Sequence, residues 1–456
     1  MTVTKRAAIC HTACIVLAAV CFGVSDARAG GSAETFGHDV RSQGKGNAVV
    51  ADDTATAAAF VNPAALARLK RPTLLVGMQL SMPHLTVTLE NERPGGDRLA
   101  PAVVAPVAGL NVAFATPLSL FVDDRIFIGI SAFFPSVVLV RARAWDPARP
   151  YFYRYDSSTD YYEAFLSVGV RLFDWAALGA GLRLGAGQGG ATNVSMDPVR
   201  GRFTRQELDT NQHSVVHPIV GLLLGPIGVD AVRGRIGFAF REKSTFVVAL
   251  PAELAIDGLD TSLLLELLNF ANFCPRTWTV GTTVQLFDVL DVSADVQYAQ
   301  WSEAPPPFLQ VQNTIAGDGL DRLGLGGSLD APAEGQNRVV SPGFVDTVNV
   351  RVGIEGRLFD DALLLRTGYQ WRPTPVPDQT SGTNIVDNTA HIVSAGATTR
   401  FLLPMMAKQP FFLDAAYQAQ ILAPRATAKA SARDPIGSWT SSGVVHLTSL
   451  AIRYAW

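Results

Sequence analysis

Past residue 30 the chain has no uncharged apolar run of about 18 residues, the length a helix needs to cross a bilayer, so no helical span is expected there. Charge is scarce as well. Only 17% of the 456 residues are charged, where about a quarter is usual for a soluble protein. Hydrophobic residues reach 48%, so the apolar excess is spread thinly instead of concentrated in spans. The net charge of −3 leaves no electrostatic footprint for nucleic acid, and that partner class is set aside. Cysteine is nearly absent from the main body: Cys10, Cys14 and Cys21 fall in the first thirty residues, and Cys274 stands alone. That excludes an internal disulfide and a cysteine-based metal site. No phosphate-binding loop and no helix-borne metal motif occurs, so no cofactor or metal is expected. His38, His84, His213, His217, His391 and His446 remain beyond His11, and none has a serine in a recognisable nucleophile context.

What is present begins with an export signal. Lys5 and Arg6 precede an apolar core from Ala7 to Val24, and Ala27-Arg28-Ala29 fits a small-x-small cleavage site, so residues 1–29 are expected to be removed. From Thr73 onward the dominant period is two, the mark of strands with one apolar face. Val348, Val350, Val352 and Ile354 alternate with Asn349, Arg351, Gly353 and Glu355. A soluble sandwich reads the same way locally, and three further features separate the two. Short Leu-Phe-Asp turns (Leu172-Phe173-Asp174, Leu286-Phe287-Asp288, Leu358-Phe359-Asp360) alternate with long connections near 190–212, 303–345 and 373–389. The last strand runs to Tyr454 and Trp456, and Trp175, Trp278, Trp301, Trp371 and Trp439 gather near strand ends. This is the pattern of an outer-membrane barrel with short turns on one side, long loops on the other and aromatic girdles. The expected fold is therefore all-β, an antiparallel transmembrane β-barrel of about fourteen strands in the outer membrane of a Gram-negative cell. The strands are expected at 73–90, 107–117, 125–139, 161–172, 175–189, 214–224, 233–250, 277–287, 289–301, 346–358, 362–373, 390–402, 410–421 and 443–456.

On that register the inward face carries Arg171, Arg183, Arg235, Arg241, Arg351, Arg366 and Arg453, with Glu163, Asp291, Asp295, Glu355 and Asp414. They read either as a mutually paired network or as receivers of a substrate carboxylate, for which Arg171, Arg351 and Arg366 are the candidates. Residues 257–273 (DGLDTSLLLELLNFANF) read as a short helix, with Leu263, Leu264, Leu267 and Phe270 on one face. Loop parity puts that helix outside the cell, where its stripe either packs on a neighbouring loop or offers a landing surface for an apolar ligand.

The stretch from Ser42 to Leu66 is rich in small residues and belongs to no strand. Gly44-Lys45-Gly46, Ala51-Asp52-Asp53 and Asn62-Pro63-Ala64 within it resemble the N-terminal hatch of the FadL/TodX-type outer-membrane transporters of long-chain fatty acids and aromatic hydrocarbons. Two later blocks extend the resemblance: Ala294-Asp295 through Trp301-Ser302, and Arg366-Thr367-Gly368-Tyr369 with Pro373, Pro375, Pro377-Asp378 and His391. Departures are a shorter spacing from Gly46 to Asp52, a longer one from Asp53 to Asn62, and Thr374 in place of the usual serine before Pro375. The resemblance implies a monomer embedded in outer-membrane lipid, with a hatch over 30–72 inside a barrel over 73–456. Ligand would be captured at an extracellular apolar groove, passed to a deeper site and released sideways beside the third strand, where Gly129 and Pro135 are the candidates for a kink. It also makes Gly44, Gly46, Asp52, Asp53, Asn62, Pro63 and Ala64 hatch residues and Phe36 a ligand contact. The function implied is passive uptake of hydrophobic small molecules. A water-filled porin is the main alternative, and an outer-membrane lipid hydrolase a weaker one.

Overall fold

The computed structural model describes residues 39–52, 55–90, 100–118, 125–135, 146–155, 162–197, 200, 202–256, 261–316, 341–402, 409–431, 434 and 436–456. Phe36, Asp53 and the expected signal segment lie outside them. Among the described residues the strands are β1 Thr73–Leu89, β2 Val107–Pro117, β3 Ile126–Pro135, β4 Tyr151–Phe152, β5 Glu163–Phe173, β6 Ala176–Asp197, β7 Arg202–Val229, β8 Val232–Arg241, β9 Ser244–Ile256 and β10 Thr261–Cys274. There follow β11 Arg276–Leu286, β12 Leu290–Gln300, β13 Gln310–Ala316, β14 Thr347–Leu358, β15 Leu363–Arg372, β16 Ile385–Val386, β17 Ala390–Phe401, β18 Phe411–Thr427 and β19 Trp439–Ala455.

A closed 14-strand ring runs β1-β2-β3-β5-β6-β7-β8-β11-β12-β14-β15-β17-β18-β19, every neighbour antiparallel. Pairing of β1 with β19, from Thr73↔Ala455 to Leu89↔Trp439, joins first strand to last and leaves no edge. The wall inverts the logic of a soluble protein. In β12 Val292, Val296 and Tyr298 are exposed, while the alternating Asp291, Ser293 and Asp295 are at most 2% exposed. In β14 Val348, Val350, Val352 and Ile354 face out, and Asn349 and Glu355 face in. A continuous apolar exterior around a charged interior is stable only where the outer solvent is lipid.

The Leu-Phe-Asp turns behave as the sequence implies. Phe287 and Asp288, and Phe359, Asp360 and Asp361, take left-handed backbone conformations. Left-handed residues in succession let β11 reverse into β12 over residues 287–289 and β14 into β15 over residues 359–362. At this end the exposed Phe173 and Trp175 stack, and Phe401, Phe411, Tyr454, Trp456 and Phe114 form a further run of ring contacts around the wall.

The opposite, extracellular end departs from expectation in three places. Residues 190–212 are the upper part of a hairpin, not a loop: β6 has 22 residues and β7 has 28, so at about 3.3 Å per residue each far exceeds a bilayer's ~30 Å core. The expected strand 233–250 is two strands, β8 and β9, separated at Glu242-Lys243. Residues 261–274 form strand β10, not the helix expected over 257–273. β10 has a partner on each side, β9 and β13, and that pairing overrides a leucine run whose spacing is legible in either period. Leu263, Leu264, Leu267 and Phe270 therefore sit on a strand, where Leu267 and Phe270, three apart, take opposite faces. β6 pairs in parallel with β9 from Gln188↔Val248 to Met196↔Ile256. The result is an extracellular sheet, β7-β6-β9-β10-β13, standing on one side of the ring. Against the base of this sheet the loops form a cap in which β4 and β16 pair, Trp301 contacts Tyr153, Phe344 and Phe273 of β10, and Trp439 Nε1 donates to Asn384 Oδ1 at 3.0 Å.

Candidate functional site: the filled lumen and its upper cavity

The segment from Asp39 to Leu69 contains helix α1 (Val40–Gly44), helix α2 (Ala55–Val61) and a 3-10 helix over Pro63–Arg68. It lies inside the ring, and composition explains how. Alanine and glycine let its backbone come within contact of the wall, and the wall answers with glycines of its own. A side chain on Gly179 would start 2.2 Å from the carbonyl carbon of Pro63, and one on Gly237 2.2 Å from the carbonyl oxygen of Val50. Gly353 and Gly368 stand in the same way against Lys45, and Gly396 against Gly44. Gly46, at φ +64°, turns the segment where the wall backbone at Tyr369 leaves no room for a Cβ.

Backbone groups that leave regular structure must be bonded elsewhere, and the wall supplies the partners. The Asp295 carboxylate accepts from the amides of Val49 and Val50 at 2.8 and 3.0 Å. Ser167 and Arg241 donate to the carbonyls of Ala59 and Phe60, and Arg171 donates twice to that of Ala67. Asn62 accepts from Ala64 N and donates to the carbonyls of Val50 and Leu222, tying segment to itself and to β7. Pro63 follows as the first residue of the 3-10 helix, where its missing N–H costs nothing. Lys45 Nζ and the Asp52 carboxylate pair at 2.8 Å, both fully buried. Burial pushes the Asp52 carboxyl up, but Lys45, Arg41 and Arg235 together hold it well below the usual carboxylate range. Arg41 and Arg366 share Glu355. Asp39 caps α1, accepting from Ser42 N, Ser42 Oγ and Thr56 Oγ1.

Above this segment, on the extracellular side, lies a cavity. Its floor is Val49, Val50, Phe60 and Val61, and its walls carry Arg183, Arg241, Arg351 and Arg372. Two carboxylates, Asp39 and Asp295, also line it, each accepting hydrogen bonds from the luminal segment, and uncharged donors and acceptors complete it, among them Thr277, Gln297, Asn349 and Gln370. The arginines are fixed in place. Arg241 lies 4.3 Å from the Phe60 ring centre, Arg351 donates to Gln297 Oε1 at 2.7 Å, and Arg183 is held by Glu163 and by Cys274 Sγ at 3.1 Å. Arg372 contacts Tyr155, whose hydroxyl burial pushes up, against the pull of Arg372, so it stays neutral. Four guanidinium groups over an apolar floor suit an anionic head with an apolar body.

Of the arginines proposed from sequence as ligand contacts, only Arg351 lines this cavity. Arg171 secures the end of the 3-10 helix and stacks over Phe127, and Arg366 is locked to Glu355 below. Leu267 and Phe270 belong to the extracellular sheet and do not line the cavity. Gly44, Gly46, Asp52, Asn62, Pro63 and Ala64 are all in the luminal segment. Gly129 sits in an unbroken ladder between Ala115 and Ser167 with Leu66 packed where its side chain would be, so it makes no kink, and Pro135 closes β3 opposite Gly109. Arg372 was missed, although strand parity counted from Arg366 through Gln370 places it on the inward face.

Closed strands with an apolar exterior and a charged, occupied lumen define an outer-membrane β-barrel. Residues 268–456 match the model of the outer membrane protein transport protein family (OMPP1/FadL/TodX). Among solved structures, the chain is similar to a Pseudomonas aeruginosa FadL homologue (16% identity, TM-score 0.56, covering 95% of this chain and 99% of that one). It is similar also to the CymD monoaromatic hydrocarbon channel (14%, 0.52, 93% and 98%) and to the Pseudomonas putida toluene transporter TodX (11%, 0.51, 88% and 94%). No curated protein matches it. The chain is an outer-membrane β-barrel that shares its fold with these structures, and the resemblance read from its sequence is borne out by the family match over its C-terminal part.

Proposed function

We propose that this protein carries hydrophobic molecules with a carboxylate head, such as long-chain fatty acids, passively across the outer membrane. The carrying observation is the upper cavity, where Arg183, Arg241, Arg351 and Arg372 stand over the apolar floor of the luminal segment. A neutral hydrocarbon of the kind named for CymD and TodX gains nothing from four fixed guanidinium groups, whereas a carboxylate gains charge-assisted hydrogen bonds. The driving force is burial of the ligand's chain, about 0.8 kcal/mol for each methylene removed from water. In this reading Asp39–Leu69 is the hatch, and the apolar residues of β9 and β10 offer the first landing surface. The His391 imidazole is exposed and bonded to the Tyr369 hydroxyl at 2.8 Å, a setting that lends no support to a hydrolase.

The test is complementation. A strain lacking fatty-acid uptake at the outer membrane should regain laurate uptake when given this protein, and Arg351→Gln with Arg372→Gln should lower it about tenfold, the loss of one charged hydrogen bond being worth ~1.5–3 kcal/mol. Correctly inserted protein that restores nothing, or restores toluene but not laurate, would refute the reading.

A further inference from the structure

A second cavity, with a volume of about 400 Å³, lies on the opposite side of the luminal segment, at the short-turn, periplasmic mouth. Five cations line it, Arg41, Arg68, Lys70, Arg71 and Arg453, and among the described residues no carboxylate does. Each arginine is oriented from behind. Arg41 meets Glu355 at 2.8 Å and Arg453 meets Asp414 at 3.2 Å, but Glu355 is shared with Arg366 and Arg357. Gln409 Oε1 accepts from Arg71 at 2.8 Å, and the carbonyls of Asp174 and Gly225 accept from Arg68. Lys70 and Arg71 are exposed. Like charges gathered around one hollow repel one another unless an anion enters between them.

The cavity also spans the junction where the ring closes. Phe412 belongs to β18, Arg453 and Ala455 to β19, Thr73 opens β1, and Arg68 ends the 3-10 helix of the luminal segment. Lys70 and Arg71 fall in the short lead from that helix into β1, and the amide of Trp456 donates to the carbonyl of Pro72 in the same lead at 3.1 Å. At this level Tyr454, Trp456 and Phe114 stack on the outer wall, which marks the membrane boundary. The cations therefore stand at the height at which phospholipid headgroups of the periplasmic leaflet surround the ring.

We propose that this cavity is a phosphate-binding site, filled by the headgroup of an anionic phospholipid of the periplasmic leaflet or by free phosphate. The charge count favours phosphate over carboxylate. A carboxylate offers one charge and two oxygens, whereas a phosphate offers up to two charges and three or more acceptor oxygens to share among several donors. Arginine forks already fixed from behind lose little freedom on engaging it. The volume leaves room for the group together with about ten bridging waters at ~30 Å³ each. Bound there, a phosphate links the periplasmic ends of β18 and β19 to the lead into β1 and holds the seam between first and last strand. The site is separate from the upper cavity and does not depend on which ligand the barrel carries.

The experiment uses full-length protein in dodecyl maltoside, a micelle that contains no phosphate, and reads thermal unfolding from heat-shifted gel mobility. Sodium phosphate at about 10 mM should raise the transition by about 3 °C or more over chloride of equal ionic strength. Lys70→Gln with Arg71→Gln should lose most of that gain, while Arg149→Gln with Lys243→Gln, which removes the same charge at the extracellular end, should keep it. As a measurement that needs no unfolding, the phosphorus NMR signal of inorganic phosphate should broaden with the parent and stay sharp with the Lys70/Arg71 variant. Micelles doped with phosphatidylglycerol or with uncharged diacylglycerol separate the two sources. A gain with phosphatidylglycerol alone, not increased by added phosphate, supports the site with the lipid headgroup as its occupant. A response to free phosphate that phosphatidylglycerol does not diminish supports the site with the free anion. Equal gains in the parent and the Lys70/Arg71 variant would overturn the proposal. So would a parent in which phosphate does no better than chloride and phosphatidylglycerol no better than diacylglycerol.

Discussion

Asp295 shows how much of the luminal segment's position depends on single side chains. Its carboxylate is the acceptor for two successive amides, Val49 and Val50, both buried. Asp295→Ala leaves both donors without a partner at about 1–3 kcal/mol each, so amide exchange at Val49 and Val50 should accelerate by one to three orders of magnitude in a ring that still forms. Unchanged exchange would mean that the close approach of Gly237 and Gly281, not the carboxylate, holds this turn. Lys45 and Asp52 give a pH-dependent counterpart. The folded pKa of Asp52 is depressed, so its contribution is present above the ordinary carboxylate pKa and is lost only as pH falls through the lower folded value. In Lys45→Met that order reverses: a buried carboxylate without its main partner prefers its proton, and stability is present at low pH and lost as pH rises. Protease resistance of residues 39–52 should therefore be weakened by about 3–5 kcal/mol at pH 7 and partly recover near pH 5. Residue-level reading from sequence was accurate for charge placement and blind to partnership. Strand parity puts Arg171, Arg351 and Arg366 inside, but only the fold shows that two of the three are already engaged: Arg171 with the Ala67 carbonyl, 104 residues away in sequence, and Arg366 with Glu355, 11 residues away, which it shares with Arg41 of the segment.

At the scale of elements, legibility followed the number of faces a strand must satisfy. Wall strands have one lipid face and one polar face, which forces strict alternation, and β1, β2 and β17 begin at the residues read from the sequence. β10 has no such constraint. It stands outside the membrane between β9 and β13, its leucine run follows no clean period of two, and the sequence alone therefore reads as a helix there. The hairpin of β6 and β7 was hidden for a related reason: its glycine- and asparagine-rich upper half carries turn-like composition, yet every residue is paired from Gln188↔Gln212 to Ser195↔Arg205. A test of the corrected element is Leu267→Pro. In a strand paired on both sides, proline removes a ladder donor and is not tolerated, so the extracellular sheet should lose protection while the ring keeps its heat-shifted mobility. In a helix of the position first expected, the same substitution would be felt within that helix and leave β9 protected, so the exchange of β9 amides separates the two.

For the molecule as a whole, the wall and what fills it are complementary to a degree that neither shows alone. Glycines on β6, β8, β14, β15 and β17 lack side chains where the luminal backbone passes. The same ring emptied of its filling would expose Arg171, Arg183, Arg235, Arg241, Arg351, Arg357, Arg366, Arg372 and Arg453 against Glu163, Asp291, Asp295, Glu355 and Asp414. That excess of cations fixes the expected behaviour. The intact chain should show little steady conductance in planar bilayers, because the luminal segment blocks the axis between the two cavities. Deleting residues 40–66 keeps the pairing of β1 with β19 and every other ladder, since none of the deleted residues contributes to them, and should give steady channels. Rings of charge set the selectivity of a pore, so these channels should prefer chloride over potassium, and Arg351→Glu with Arg372→Glu should reduce or reverse that preference. Large steady channels from the intact chain would show that the segment does not close the lumen, and with that the water-filled porin would become the better account of the protein.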